Sequence, residues 1–212
     1  MYVTVTSRPD LCMAVNYFSG FQSCATDEHY SHLKRVLRYI QGTLDMKLVY
    51  RRDQDATLLE GFADADWAGD IVDRKSLSGY VFKVRGATVS WCTRKQVSVA
   101  LSSAEAEYAS LTMAVTEAIW LRGLLRDLGQ RVADPTIIHE DNQACIRVAE
   151  SDKPTRRMKH VDVRFHFVKN EIDAGTVRLL YVPSEDQVAD VMTKGLPRIQ
   201  FEKLRNMLGL LG

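Results

Sequence analysis

Three aspartates stand within seven positions of the stretch "GFADADWAGD", namely Asp64, Asp66 and Asp70. Strand interiors normally lack aspartate, and residues 64 and 66 would share one face of a strand. A calcium loop that starts at Asp64 is excluded, because Ala68 and Lys75 stand where such a loop needs an oxygen ligand and a glutamate. The stretch is therefore either a solvated turn or one part of a catalytic metal site whose other ligands come from elsewhere in the chain.

A second carboxylate that could take part in chemistry is Glu107, in a helix predicted over residues 103–128. Its helical spacing places it on one face with the apolar residues Leu111, Ala114, Ala118, Leu121 and Leu125. Glu105 projects from a different face. A carboxylate that points into a core is costly unless it is paired or bound to a metal. The alternative is that Glu107 lies beyond the edge of the sheet and is solvated.

Two further aspartates follow predicted strands. Asp141 comes directly after "TIIHE", at the carboxyl end of a strand, where the sites of open α/β sheets lie. The alternative is that Asp141 or Asn142 only caps the next helix. Asp190 is predicted in the second turn of a helix that begins with a capping box at Ser184 and Gln187. Its alternative is an ordinary exposed helix carboxylate.

The elements that must position these carboxylates are predicted from residue 58 onward. Three consecutive strand patterns precede an alternation of helices and strands, in the order β-β-β-α-β-α-α-β-α. This order predicts a mixed five-stranded sheet flanked by helices, an α/β (α+β mixed) fold. Residues 9–41 are predicted to form a helical pair, followed by a short strand at "KLVYRR" and a polar boundary at residues 53–57.

Composition and charge exclude several classes of protein. The 212 residues carry a net charge of +1, so a nucleic-acid partner requires locally segregated charge. The four cysteines form no C-x-x-C pair, which argues against a zinc ribbon or a disulfide framework and favours a reducing, intracellular compartment. No apolar run approaches about 18 residues, so no membrane span is expected. The first residues resemble neither a signal peptide nor a domain start, which indicates a fragment of a longer protein.

Four motifs carry a family resemblance. "FADADW", "SSAEAEYASL", "IHEDNQACI" and "SEDQVADVMTKGL" resemble, in order, the acidic motifs of the ribonuclease H domain of copia-type LTR retrotransposon Pol polyproteins. The resemblance covers about residues 58–212. "TSRPDLCMAVNYFSGF" and "HYSHLKRVLRYIQGTLDMKLVY" resemble the C-terminal end of the reverse transcriptase of the same polyprotein. Together, the two resemblances imply a reverse transcriptase remnant over 1–52, a ribonuclease H-like fold over 58–195 and a C-terminal helix over 196–212.

The resemblance implies an activity and a site. The catalytic and metal-binding residues would be Asp64, which precedes the small Ala65, together with Glu107, Asp141 and Asp190, and Asp66 would be an auxiliary ligand. Four carboxylates of this kind suit two Mg²⁺ ions about 4 Å apart, with Mn²⁺ as a substitute. The implied reaction is hydrolysis of the RNA strand of RNA–DNA hybrids, in the cytoplasm within a retrotransposon particle.

A cluster of basic residues supplies the segregated charge. Six lysines and arginines lie between residues 152 and 169. The residues expected to bind the hybrid are Arg156, Arg157, Lys159, His160 and Arg164. The alternative is a solvated helix face. Many ribonucleases H carry a histidine shortly before the last aspartate, but "YVPSEDQVAD" contains none.

Two other functions compete with this prediction. A truncated copy of such an element can keep the fold and bind nucleic acid without cleaving it, because the reverse transcriptase normally helps to hold the hybrid. An integrase-type nuclease shares the fold, but the order of the four acids and the reverse transcriptase remnant argue against it. The remainder of the reverse transcriptase is an expected partner, and the sequence specifies no oligomeric state. No Y-x-D-D-type motif is present, so polymerisation is not expected.

Overall fold

A mixed five-stranded sheet forms the centre of the protein, in a computed structural model that describes residues 2–51, 53, 55–70, 73–151 and 162–212. The strands are β1 (Lys47–Leu48), β2 (Leu59–Asp66), β3 (Leu77–Val84), β4 (Ala87–Lys95), β5 (Thr136–Glu140), β6 (Val177–Tyr181) and β7 (Leu210–Leu211). The order across the main sheet is β4-β3-β2-β5-β6. β2, β3 and β4 are antiparallel, and β5 and β6 run parallel to β2. The predicted fold class is confirmed.

Helices cover both faces of this sheet. They are α1 (Tyr2–Thr6), α2 (Cys12–Ser19), α3 (Asp27–Gln41), α4 (Ser103–Asp127), α5 (Gln143–Glu150), α6 (Asp162–Asp173), α7 (Asp190–Thr193) and α8 (Arg198–Met207). One core contains α4 residues such as Leu111, packed with Phe82 and Ile138. A second core on the opposite face packs Phe62 against Met192 and Leu204. No helix in the described part of the chain is long and apolar enough to cross a membrane.

The pairing of β2 with β5 brings their carboxyl ends together. The two strands are parallel, with Phe62 opposite His139. Two residues further along each strand stand Asp64 and Asp141, so the register brings these aspartates level with one another. The same alternation places Asp64 on the face of Phe62, toward α7. The topology thus provides the edge at which the predicted site forms.

The N-terminal segment packs on the sheet and on the C-terminal tail. β1 pairs antiparallel with β7, and the Trp91 indole of β4 donates a hydrogen bond to the Thr4 carbonyl at 2.7 Å. α3 buries none of its residues. Leu37 and Leu44 are among the large apolar side chains that stay exposed, so this segment leaves apolar surface uncovered. The domain boundaries at residues 52 and 195 stay predictions.

The chain between β6 and α8 differs from its prediction. The expected helix that begins with a capping box at Ser184 is wrong, because residues 184–186 form a single 3₁₀ turn and α7 begins at Asp190. The cause is the buried side chain of Gln187, which donates to the Ala63 carbonyl at 2.9 Å instead of capping a helix. Asp190 is therefore the first residue of a short helix.

Candidate active site

Asp64 is fully buried on β2, and its carboxylate is contacted by the last residue of α7, Thr193, and by the following residue, Lys194. The Thr193 hydroxyl donates to Asp64 Oδ2, and Lys194 Nζ lies 2.8 Å from Oδ1. Both partners follow from the alternation of β2, which turns Asp64 to the face that α7 covers. The carboxylate is therefore fixed in position before any ligand binds.

Glu107 reaches the same point from the opposite face of the sheet. The predicted apolar face of α4 is buried throughout, and Glu107 lies at its N-terminal end with 6% of its surface exposed. Oxygen atoms of Glu107, Asp64 and Asp141 all lie within 4.8 Å of one another. Burial, reinforced by the charges of Asp64, Glu140 and Asp141, raises the pKa of Glu107 to about 11. Its Oε2 atom has no hydrogen-bond partner among the described residues.

Asp141 follows β5 at the open side of this group and is partly exposed. The Ser184 hydroxyl donates to its Oδ2 at 2.6 Å. The capping role that competed with a catalytic one belongs to its neighbour, because Asn142 Oδ1 accepts from the amides of Ala144 and Cys145. Helix capping therefore does not explain Asp141.

Asp190 joins the group through a shared cation. Lys194 Nζ lies 2.8 Å from an oxygen of Asp190 and 2.8 Å from an oxygen of Asp64. Burial and the charge of Asp64 raise the pKa of Asp190 to about 7, against the opposing effect of Lys194. Burial alone would lower the pKa of Lys194, but the two aspartates raise it overall. Asp190 is near the three other acids, although its oxygens are not within the 4.8 Å group.

Two residues of the site were not predicted from the sequence. Glu140 is fully buried, its Oε1 accepts from the Asn142 amide at 3.1 Å, and its Oε2 has no described partner. Burial and the charges of Asp64 and Asp141 raise the pKa of Glu140 well above its usual range. Two sequence signals were present. Glu140 alternates inward with Thr136 and Ile138 on β5, and Lys194 stands four residues after Asp190, which is contact spacing on a helix.

Two other acids have different surroundings. Asp66 lies on the face of Asp64 but is partly exposed, and burial and the charge of Asp64 raise its pKa. Its oxygens are not in the close group, so its auxiliary role stays a prediction. Glu105 is buried, but it accepts a hydrogen bond from the Leu101 amide at 2.8 Å beside the Ser102 N-cap. Glu105 therefore stabilises the start of α4.

The donor set fits a hard divalent cation. We name five residues the acid cluster: Asp64, Glu107, Glu140, Asp141 and Asp190. In the part of the chain that the structure describes, Lys194 is the cation that contacts them. Buried charges that lack pairing are unfavourable, and the unpartnered oxygens of Glu107 and Glu140 mark a missing positive charge. Carboxylate oxygens are the ligands that Mg²⁺ and Mn²⁺ prefer.

The predicted nucleic-acid surface lies mostly outside the described residues. Arg156, Arg157, Lys159 and His160 all fall there. Arg164 is described and lies in the first turn of α6 with a partly exposed side chain. The role of these five residues in binding a hybrid stays a prediction.

Comparisons with known proteins give relatives of the chain and a solved structure of similar fold, although no protein-family model matches the chain. The chain is 37% identical over 205 residues to the retrovirus-related Pol polyprotein from transposon RE2 of Arabidopsis thaliana, covering 97% of this chain and 14% of that protein. It is 36% identical over 210 residues to the one from transposon TNT 1-94 of Nicotiana tabacum, covering 99% and 16%. The chain thus spans about one seventh of the length of these relatives. Among solved structures, LC11-RNase H1 isolated from compost superimposes with a TM-score of 0.50 at 14% identity, covering 68% of this chain and 96% of that one.

Proposed function

The chain is homologous over nearly its whole length to copia-type retrotransposon Pol polyproteins and belongs to that family. From this premise we propose that the chain hydrolyses the RNA strand of RNA–DNA hybrids with divalent metal ions. The observation that carries the proposal is the meeting of Asp64, Glu107 and Asp141 within 4.8 Å. It occurs at the carboxyl ends of two parallel strands of a ribonuclease H-like fold.

Asp64, Glu107, Asp141 and Asp190 are the proposed catalytic residues and the ligands of two Mg²⁺ ions, which Mn²⁺ can replace. Bound there, the ions would activate a water molecule for attack on a phosphodiester and stabilise the leaving 3′ oxygen. Asp64 and Glu107 approach from opposite faces of the sheet and are buried, so their oxygens keep their positions. Lys194 balances part of the negative charge between Asp64 and Asp190.

The proposed substrate is an RNA–DNA hybrid, which proteins recognise through its shape, 2′-hydroxyls and backbone. Arg156, Arg157, Lys159, His160 and Arg164 would contact its phosphates. Residues 1–52 would join the domain to the remainder of the reverse transcriptase. The proposed location is the cytoplasm, within a retrotransposon particle, because the relatives are Pol polyproteins.

The test is a cleavage assay on a labelled RNA–DNA hybrid at a concentration close to that of the chain, so that even slow cleavage is detected. Mg²⁺ should support cleavage of the RNA strand, EDTA should stop it, and Asp64→Asn should abolish it. The matched control is Asp70→Asn, the same change in the same stretch, because Asp70 pairs with the exposed Lys95 instead of the acid cluster. Full activity of Asp64→Asn would refute the proposal.

A second candidate function is binding of the hybrid without cleavage. Lys194 favours it, because its ammonium group bridges Asp64 and Asp190 and competes with a metal ion for the same oxygens. A protein that binds the hybrid but does not cleave it in Mg²⁺ or Mn²⁺ would support this second function. Cleavage that requires Asp64 would exclude it.

A further inference from the structure

A second charged site lies where the N-terminal segment meets the C-terminal helix. A cleft of about 560 Å³, which we name the seam cleft, opens between α3 and α8. Its lining includes Arg35, Tyr39, Arg198, Phe201 and Arg205. The volume lies within the range of small-ligand sites, which is about 300–1,000 Å³.

The guanidinium of Arg205 is the central feature of the seam cleft. Only 9% of Arg205 is exposed, yet it forms no ion pair with any carboxylate in the described part of the chain. One of its nitrogens donates to the Tyr39 hydroxyl at 3.2 Å, and its Nε has no described partner. A buried charge is normally paired or bound to a ligand. Arg205 therefore has unused capacity for an anion.

Asp10, the carboxylate that is linked to Arg205 through Tyr39, is already engaged. Asp10 accepts two hydrogen bonds from Arg8, at 2.9 and 2.8 Å, and a third from the Tyr39 hydroxyl at 2.7 Å. Tyr39 thus stands between Asp10 and Arg205. The buried group of Arg8, Asp10 and Arg205 holds two positive charges against one negative charge.

The remaining walls indicate what kind of anion fits. Arg35 and Arg198 add guanidinium groups at the exposed side, where Arg198 pairs at 2.8 Å with Glu202, the one carboxylate among the described residues that line the cleft. Phe201 packs edge-on against Tyr39, with ring centroids 5.6 Å apart. Guanidinium groups bind phosphate oxygens in a bidentate fashion, and aromatic rings contact planar bases. We propose that the seam cleft binds a nucleotide phosphate, with Arg205 as its buried ligand.

Two sources carry this chemistry: a free nucleotide, or a phosphate within a single strand of nucleic acid. Leu196 of the cleft stands two residues after Lys194 in the sequence, but no residue of the acid cluster is among the described residues that line the cleft. Only the nucleic-acid source is related to the proposed cleavage. Binding to the cleft itself requires neither metal nor cleavage, so it can be measured in EDTA.

The experiment is calorimetric titration of the full chain in EDTA with inorganic phosphate, adenosine monophosphate and a single-stranded oligodeoxynucleotide. At least one nucleotide probe should bind at one site per chain, and Arg205→Met should weaken that binding at least about tenfold, the effect of losing a charge-assisted contact. Arg205→Lys, which keeps the charge, should weaken it less. The matched control is Arg126→Met, since Arg126 is exposed near the end of α4 and does not line the cleft.

The outcomes separate the two sources and can refute the site. Adenosine monophosphate that binds as tightly as the oligonucleotide would indicate the free nucleotide, whereas tighter binding of the oligonucleotide, weakened by Arg205→Met, would indicate a strand phosphate. Because Arg205 has no counter-ion, Arg205→Met should melt at or above the temperature of the unchanged chain. Unchanged affinity of both Arg205 variants, or absence of binding by every probe at millimolar concentration, would refute the site even if the chain cleaves hybrids.

Discussion

The acid cluster contains an excess of buried acidic groups, whereas the seam cleft contains an excess of buried basic groups. In the acid cluster, five carboxylates surround one described cation, Lys194. At the seam, the buried Arg8 and Arg205 stand against one buried carboxylate, Asp10, which pairs with Arg8 and is linked to Arg205 only through the Tyr39 hydroxyl. Folding alone does not favour either arrangement, because each leaves buried charge without compensation. The comparison shows that an uncompensated buried charge indicates a missing ligand of the opposite sign.

The two regions also differ from the ordinary ion pairs of this chain. Asp70 and Asp73 lie in an exposed turn where Lys95 contacts both. This turn comes from the same acidic stretch as Asp64, but its charges are balanced and solvated. Surface pairs of this kind contribute little to stability and point to no ligand. The density of acidic residues in the sequence is therefore a weaker signal than their burial without partners.

The largest expected effect comes from removing one carboxylate of the acid cluster. Glu107→Gln keeps the volume of the side chain but removes a metal ligand, so hybrid cleavage should fall at least about 10³-fold, the several kcal/mol that metal ions contribute. The melting temperature of the metal-free protein at neutral pH should not fall, because Glu107, with a pKa raised to about 11, is uncharged there and glutamine is an uncharged side chain of the same size. Cleavage rates and thermal melting in EDTA measure the two effects.

The control for this variant is Glu105→Gln, on the same helix. Its side chain can still accept from the Leu101 amide, so both cleavage and melting should stay close to those of the unchanged chain. If Glu107→Gln were strongly destabilised without metal, Glu107 would be a structural residue and the comparison of the two regions would fail.

The second effect comes from removing the acid of the seam. Asp10→Asn leaves Arg8 buried without a counter-ion, and breaking such a pair costs about 3–5 kcal/mol. The free energy of unfolding in urea should fall by that amount, in contrast to Glu107→Gln. Asp186→Asn is the control, because Asp186 pairs with Lys203 at the surface and should lose less than about 1 kcal/mol. Equal losses in the two variants would contradict the imbalance at the seam.

Periodicity explains what was predictable from the sequence. The apolar face of α4 predicted that Glu107 rather than Glu105 points to the sheet. Both side chains are buried, but Glu107 meets Asp64 and Asp141, whereas Glu105 accepts from the Leu101 amide. The end of β5 predicted the place of Asp141 but not the burial of Glu140. The alternation on β5 contained that information, and it was missed because Asp141 alone matched the motif.

Long-range contacts explain what was not predictable. The position of Asp190 depends on Gln187, whose side chain donates to the carbonyl of Ala63 across 124 residues. The seam depends on a contact between Tyr39 and Arg205, which lie 166 residues apart. Local sequence patterns do not predict such long-range contacts. The capping pattern at Ser184 therefore predicted a helix that does not form, and no pattern predicted the seam cleft.

The smallest expected effect tests whether Lys194 substitutes for a metal ion. Lys194 makes two charged hydrogen bonds, at 2.8 Å each, so Lys194→Gln should lower the free energy of unfolding in EDTA by about 1.5–3 kcal/mol. Saturating Mg²⁺ should narrow this difference, because the ion supplies the positive charge that the variant lacks and binds only the folded state. Lys203→Gln, which removes a surface pair with Asp186, should show a smaller loss that Mg²⁺ does not change. A loss in Lys194→Gln that is the same with and without Mg²⁺ would mean that Lys194 and the metal do not share the oxygens of Asp64 and Asp190. Urea unfolding of the three proteins, each with EDTA and with Mg²⁺, therefore distinguishes a lysine that occupies the place of a ligand from one that only supports the fold.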